Sequence, residues 1–556
     1  MTRPAGAGPA SRVAYRQQVS SILFRNGVVH SPADPFAEAL LVEDGVVAWL
    51  GAEDTADGFA RRAERVVDLD GALLAPGFVD SHVHLLRTGE VLDGLDVGAA
   101  TSAADLVRRA AERAASTAGP VVGHGWDESG WEASRAPSRA ELDAATGERE
   151  VALVRADQHS SLVSTALAAR LGLADLAGWS HDGPVTGAAH TAVSEHLAEL
   201  AARRHTELTD LALRAAAERG IVAVHEMSLP GTDTRAGLAH LLARTADPAS
   251  GLPLVVGYRG ELCETTTDVT ALLEEVPGLT GVGGDVPVDG SLGSRTAALG
   301  APYADDPDGG SGLLHLTAEQ ITTHVLAATR AGLQAGFHAI GDRALDEVLL
   351  GLRTAADIEG LAAVRALGHR VEHAPLVGAA QLAALVLLGL RVSVQPAFDA
   401  RWGGPDGMYA ARLGATRAAD TTPLADLAGA GVPLALGSDA PVTPFDPWGA
   451  VAGALWLSSV DQRVSARAAF RAHTRGGWRL ANLDHTGAGE IRVGAPAHLA
   501  VWRAAHLAVQ GPQAPGTSWS TDVRAGTPLL PALGPDEPVP TCHMTLRDGV
   551  VLHERW

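Results

Sequence analysis

From about Ser20 to Leu74 the chain runs in short apolar stretches separated by turn residues. Residues 21–29 read as one strand, and residues 39–50 as a hairpin with Asp44-Gly45 near its turn, since that dipeptide suits the left-handed backbone of a tight hairpin. The C-terminal end repeats the style at residues 498–502 and 544–552. Two strand-rich ends around a long middle predict one composite β-sandwich built from residues 20–74 and 487–556. Residues 1–19 show no such pattern and are expected to form a flexible leader.

The middle has a different rhythm. A helical stretch reaches a Gly, an apolar strand follows, and the strand ends in polar residues. Residues 215–220 lead into 221–226, 327–332 into 333–338, 385–390 into 391–396, and 427–431 into 432–439. Helices alternating with short apolar strands predict a parallel sheet. The class is therefore α/β, a (β/α)₈ TIM barrel over residues 75–486, with strands ending near His84, Glu226, Arg259, Asp289, His338, His373, Pro396 and Asp439. Polar groups at strand C-termini are where such barrels carry chemistry. An insertion over about residues 100–205, after strand 1, is long enough to need its own structure and to act as a lid or pocket wall.

Composition narrows the function. The chain has 556 residues, 46% hydrophobic and 19% charged, with a formal net charge of -22. Such a charge repels phosphate backbones, so a small-molecule substrate is expected and nucleic acid is not. All 43 basic residues are Arg. That excludes a lysine Schiff base, a P-loop lysine and a carboxylated-lysine metal bridge. The two cysteines, Cys263 and Cys542, stand far apart and outside any CxxC pattern, which points to free thiols in a reducing compartment. Residues 1–20 lack the apolar core of a secretory signal, and the longest apolar run, 382–390, is too short for a bilayer. A cytoplasmic protein without a membrane partner is expected, and a homodimer would be ordinary at this size. No GxxxxGK[ST], HExxH, strand-linked GxGxxG or GxSxG occurs, which leaves nucleotide-driven, zincin and serine-hydrolase chemistry without a carrier.

Four segments offer metal ligands. His82 and His84 follow an apolar Pro-Gly-containing strand. A bare His-x-His pair is weak, because roughly one is expected by chance among 22 His in 556 residues. In a strand, however, residues two apart share a face, so both imidazoles reach one point. His338 closes a second strand, where a hydrogen-bonded structural His is the competing reading. His369 and His373 bracket a third, and His373 lies at the mouth end. Asp439 follows Gly-Ser at the end of the last strand. Imidazole and carboxylate together suit a divalent metal, Zn²⁺ above Fe²⁺ or Mn²⁺.

These segments, PGFVDSHVH, FHAIGDRA, HRVEHA and GSDAPV, resemble motifs of the amidohydrolase superfamily, and within it amidohydrolase family 3, the group related to N-substituted formamide deformylase. Gly125-Trp126-Asp127-Glu128, Asp157-Gln158-His159-Ser160 and the segment from Asp289 to Thr296 resemble it too. The resemblance implies a barrel beside a composite β-sandwich, one or two divalent ions, and hydrolysis of an amide or formamide C–N bond with Asp439 as the proton carrier. It also makes Trp126, Asp127, Trp131, Arg155, His159, Arg295 and Asp342 candidate pocket residues. The competing reading is that the tryptophans pack the insertion's own core.

Three positions depart from the pattern. The lysine that bridges two metals in that group is replaced by Asp285, which either takes over the bridge or leaves a mononuclear site. His190 stands where an acidic residue is usual, and is expected to alter the pocket. His498 stands where Asp is usual, and is expected to be structural. Ester, lactone or phosphotriester hydrolysis on the same barrel, or a non-catalytic metal-binding or scaffold role, stay open at this stage.

Overall fold

The computed structural model describes residues 20–117, 119–133, 135–510, 519–520 and 527–556; the expected leader lies outside them. Eight strands form one parallel sheet in chain order: β1 (Phe78–Val83), β2 (Ile221–Ser228), β3 (Leu254–Arg259), β4 (Gly281–Val282), β5 (Gln334–Ala339), β6 (Arg370–His373), β7 (Arg391–Val394) and β8 (Leu434–Leu436). Each pairs in parallel with the next. The sheet curls until its two ends meet. Val83 bridges Ala440, Asp439 N–H donates to His82 O at 2.9 Å, and His84 N–H donates to Ala440 O at 2.9 Å. The result is a nearly closed α/β barrel.

β1, β2 and β5 are buried along their whole length. Strands covered on both faces need continuous apolar runs rather than alternation, and Ile221-Val222-Ala223-Val224 supplies one. The helices before the strands stop where the Gly pattern places them. Ala318–Ala331 starts on a Thr317/Gln320 capping box and ends at Gly332 with φ 75°; Ala379–Leu388 ends at Gly389 with φ 67°. Glycine takes this left-handed conformation without a Cβ clash.

Two strand expectations are corrected. β4 stops at Val282, not near Asp289. Gly283 and Gly284 are both left-handed (φ 87° and 62°), and a Cβ on Gly283 would sit 2.2 Å from Gly336 O. These glycines turn the chain out of the sheet and leave Asp285 over the barrel mouth. Residues 21–29 are not one strand either. Asn26 turns at φ 58°, so Ser21–Arg25 and Val28–Val29 join different sheets.

One of those sheets has four strands: Val46–Gly51, Ala39–Glu43, Ser21–Arg25 and Arg65–Asp68. The other has five and combines both chain ends: Val28–Val29, Leu73–Pro76, Leu499–Arg503, Thr541–Arg547 and Val550–Glu554. Ile22, Phe24, Leu40, Leu74, Leu499 and Met544, from the two sheets, meet in a shared buried cluster. The insertion has its own four-stranded sheet, ordered Ser161–Val163, Val151–Arg155, Val121–Trp126 and Leu95–Asp96. Cys263 and Cys542 are free and buried.

The base of β1 joins the barrel to the C-terminal strand Leu499–Arg503 through aromatic edges. Phe78 is fully buried, with ring centroids 5.0 Å from Trp448, 5.4 Å from Phe470 and 5.7 Å from Trp502. Removing it leaves a cavity where three rings lose a common partner. Phe78→Ala is expected to cost about 3–5 kcal/mol, read as a lower urea midpoint by circular dichroism; an unchanged midpoint would contradict this role.

Candidate metal centre and active site

The mouth of the barrel gathers all six candidate ligands. Strand alternation carries His82 and His84 to one side, with ring centroids 5.3 Å apart. The His373 ring lies 4.9 Å from His82 and 4.6 Å from His338. His373 and Asp439 both hold left-handed backbone (φ 70° and 56°), a conformation that costs non-glycine residues energy and clusters at functional sites.

Hydrogen bonds fix which ring nitrogen faces the centre. His82 Nδ1–H donates to Glu372 Oε2 at 2.8 Å, His84 Nδ1–H to Met227 O at 2.9 Å, and His373 Nδ1–H to Gln395 Oε1 at 2.8 Å. His338 differs: its Nε2–H donates to Gly290 O at 3.1 Å, and its Nδ1 faces inward onto Asp285 Oδ1 at 3.3 Å. Each assignment follows from the partner's being an acceptor.

Asp285 sits between two pairs of imidazoles. Its Oδ2 lies 3.7 Å from His82 Nε2 and 3.6 Å from His84 Nε2. Its Oδ1 lies 3.3 Å from His338 Nδ1 and 3.4 Å from His373 Nε2. Asp439 Oδ1 lies 3.4 Å from both His82 Nε2 and His84 Nε2. Three groups could each hold an ion: His82, His373 and Asp439; His82, His84 and Asp285; and Asp285, His338 and His373. His82 Nε2 is buried without a hydrogen-bond partner, and a buried acceptor of this kind calls for a ligand.

The electrostatics say the same. Burial alone would push the Asp285 and Asp439 carboxyls up, but the surrounding imidazoles outweigh it and hold both below the usual carboxylate range. Burial would likewise lower His338, yet the Asp285 carboxylate raises it to about 9. Two carboxylates this close to four imidazoles, three of them buried, require positive charge among them, and a divalent cation supplies it with the nitrogen and oxygen donors present.

Behind the ligands stands a charged pair in β6. Arg370 Nη2–H donates to Glu372 Oε2 at 2.9 Å and to Ser81 O at 2.8 Å, and Arg370 Nη1 meets His225 Nδ1 at 3.0 Å. Burial would raise the Glu372 carboxyl; the Arg370 guanidinium outweighs it and keeps Glu372 ionised. Glu372 therefore orients His82 as an ionised acceptor, an arrangement that raises ligand basicity. Glu372 and Gln395 were not singled out in the sequence. The legible signal was a charged Arg-x-Glu inside the short strand that ends at His373.

A cavity of about 210 Å³ opens over the centre. His159 lines it, as do Asp157 and Gln158 from the insertion. Asp157 accepts from Arg155 Nη1 at 2.8 Å, Ser294 Oγ at 2.7 Å and His159 N at 3.1 Å, which sets the His159 turn against the barrel. His190 does not line the cavity. It braces that turn from behind, bonding Gln158 O at 2.7 Å and Ser161 Oγ at 2.9 Å.

The remaining pocket expectations are corrected. Trp126 and Trp131 lie in the insertion's own apolar core, and Trp126 Nε1–H donates to Leu153 O at 2.8 Å. Arg155 is taken up by Asp127, Glu128 and Asp157. Asp127 faces Arg155 and accepts from Trp402 Nε1 at 3.2 Å, one residue removed from the cavity. Arg295 pairs with Asp305 away from the cavity. Asp342 opens the helix after β5 and accepts from Gly300 N at 2.8 Å. Tryptophans in a half-apolar insertion find an apolar core before a wet cavity, and buried charges find each other. His498 stacks on Trp478 (4.9 Å) and meets Asp548 at 3.0 Å, a structural position as expected.

A parallel barrel with an imidazole and carboxylate cluster at its C-terminal mouth defines a metal-dependent hydrolase. The sequence profile of the amidohydrolase family matches residues 65–553, and the chain belongs to that family. It is 27% identical over 510 residues to Protein LONG AFTER FAR-RED 3 of Arabidopsis thaliana, covering 84% of each chain. It is 24% identical to the N-substituted formamide deformylase of Arthrobacter pascens, covering 79% of this chain and 85% of that one. Among solved structures, an uncharacterized metal-dependent hydrolase from Pyrococcus horikoshii superposes with a TM-score of 0.69 at 25% identity, over 87% of this chain and 97% of the other.

Glu372→Gln keeps the shape but removes the charge that orients His82 and balances Arg370. Its affinity for divalent metal is expected to fall roughly 10- to 100-fold, measured by competition with a chromophoric chelator. Wild-type affinity in this variant would remove Glu372 from the site.

Proposed function

We propose that this hydrolase cleaves a non-peptide C–N bond, in an amide or an N-substituted formamide, of a small molecule. The observation that carries the reading is the position of Asp285, whose two oxygens face separate imidazole pairs beside Asp439 on the floor of one cavity. Similarity to an N-substituted formamide deformylase supports the bond type. His82 and His84 with Asp285 Oδ2 would hold one ion, and His338 and His373 with Asp285 Oδ1 a second. Asp285 thus takes the place of a bridging lysine in a chain that has none. Zn²⁺ matches the donor set best.

When bound, a divalent cation there acidifies water and polarises the scissile carbonyl. The protein's own groups do the rest. Asp439 Oδ1 faces the same point as the His82 and His84 Nε2 atoms and takes the proton from the attacking water. As the C–N bond breaks, it returns that proton to the leaving nitrogen, so that water and amide become acid and amine. His159 lies in the same cavity, where burial holds its imidazole below the usual range and therefore neutral; its N–H donates to the carbonyl oxygen as charge develops there. A cytoplasmic setting is proposed on the free, buried thiols. Among the described residues no helix is long and apolar enough to cross a membrane.

Metal analysis of the purified protein is expected to find two ions per chain, falling to one or none in Asp285→Ala; two ions retained in that variant would overturn the bridge. Asp439→Asn is expected to keep most of its metal and lose about 10²- to 10⁴-fold in turnover. A panel of formamides, esters, lactones and phosphotriesters checks the bond type, with formamides or amides expected to be cleaved fastest.

A further inference from the structure

Where the barrel meets the sandwich lies a second cavity, of about 190 Å³, which shares no lining residue with the one over the metal centre. One wall is the run of residues 466–480, in which the helices Ala466–Arg471 and Gly477–Leu480 are joined by a single π turn, Ala472–Gly476. Arg467, Arg471 and Arg475 recur every four residues along it, and all three line the cavity. Side chains at that spacing share a helix face. His473, inside the π turn, is bound to the base of the barrel instead: its Nδ1–H donates to Val79 O of β1 at 3.0 Å. The other wall belongs to the sandwich, through His30 and Pro76, and to Gly489 and Glu490 on the chain that leads back to it.

This cavity is short of negative charge in a chain whose net charge is -22. Glu490 is the one carboxylate lining it among the described residues, and Arg475 Nη1–H donates to that carboxylate at 2.5 Å. Among the described residues the Arg467 and Arg471 guanidiniums make no hydrogen bond and no ion pair. Like charges four apart cost a helix stability, a cost that an anion between them offsets. The imidazole beneath adds a more selective demand. His30 is buried, with its ring edge-on to Phe470 at a centroid distance of 5.0 Å. Its Nδ1–H donates to Leu529 O at 2.9 Å, so Nε2 carries the lone pair and has no partner among the described residues. Burial, with Arg467 nearby, lowers this imidazole to about 4 and keeps it neutral. A neutral Nε2 of this tautomer can only accept. A ligand that satisfies all three groups therefore has charged oxygens for the guanidiniums and one O–H for the imidazole. Hydrogen phosphate has both, whereas sulfate and carboxylates at neutral pH have no proton to give. A cavity of about 150 Å³ is enough to hold benzene, so 190 Å³ accommodates a phosphate with a short ester arm.

We infer that the junction between barrel and sandwich is a binding site for hydrogen phosphate, free or as the protonated head of a small monoester. Arg467 and Arg471 take its charged oxygens, and its O–H donates to His30 Nε2. Because one wall is the helical run that grips β1 and the other is the sandwich, the bound ion ties the two layers together. A ligand held only by the folded chain stabilises it by mass action.

Calorimetric titration of the metal-loaded full chain at pH 7 and constant ionic strength tests this, with inorganic phosphate, glycerol phosphate, sulfate and acetate as probes. Phosphate is expected to bind at least about tenfold tighter than sulfate or acetate, because a site built around one O–H rejects analogues that lack it. The double variant Arg467→Gln, Arg471→Gln is expected to lose at least about tenfold in phosphate affinity with its metal content unchanged. Phosphate is expected to raise the melting temperature of the wild type and to leave that of the double variant where it was. His30→Phe, which keeps a ring against Phe470, is expected to bind sulfate as well as phosphate. If that variant does not fold, the sulfate comparison in the wild type decides the role of His30. Tighter binding of glycerol phosphate than of phosphate would assign the site to an ester, and the reverse order to the free ion. Sulfate bound as tightly as phosphate by the wild type would overturn the inference. So would phosphate affinity unchanged in the double variant, which would place the ion at the metal centre instead.

Discussion

Closure of the barrel is the constraint on which the site depends. His82 O accepts from Asp439 N, and His84 N donates to Ala440 O. These hydrogen bonds join the first strand to the turn after the last. They set the Asp439 carboxylate against the two imidazoles that begin the barrel. Asp439 holds left-handed backbone at that junction, and its strain is absorbed by the surrounding packing. A sheet that curled slightly less would leave the same residues in the same order along the chain, with no common point.

Charge arrangement comes next. Asp285 and Asp439 are buried among four imidazoles, a grouping that is costly unless compensated by protons or by metal. A second buried pair, Arg370 and Glu372, lies one layer below and reaches the cluster only through His82. The guanidinium keeps Glu372 ionised, Glu372 fixes the His82 tautomer, and the tautomer presents Nε2 to the centre. The metal chemistry of this chain is thus supported from beneath by an ion pair that never faces the cavity.

The insertion completes the site from above. Its core is built from Trp126, Trp131 and their apolar neighbours, and its Asp157, Gln158, His159 and Ser194 reach the cavity. Arg155 gathers Asp127, Glu128 and Asp157 into one cluster, and Asp127 and Asp157 continue it to Trp402 and Ser294 of the barrel. A lid held by a few charged contacts can dock firmly on the barrel.

Much of this was legible in the sequence, because the signals are local. Helix stops at Gly332 and Gly389, apolar runs such as Ile221–Val224, and the His-x-His at the end of β1 depend on near neighbours and on fixed periodicities. The absence of lysine was enough to rule out a carbamate bridge. Where the chain left those periodicities, sequence reading failed. The paired left-handed glycines that end β4 early, the split of residues 21–29 between two sheets, and the burial of Trp126 away from the cavity all depend on partners far along the chain. The residue types at the centre and the order of the strands are written in the sequence itself. Which nitrogen each imidazole turns inward, and that Asp285 lies between two pairs of them, were decided only by tertiary structure. The physical reason is that a short hydrogen bond or a ring stack requires two distant segments to meet, and local sequence carries no information on that meeting.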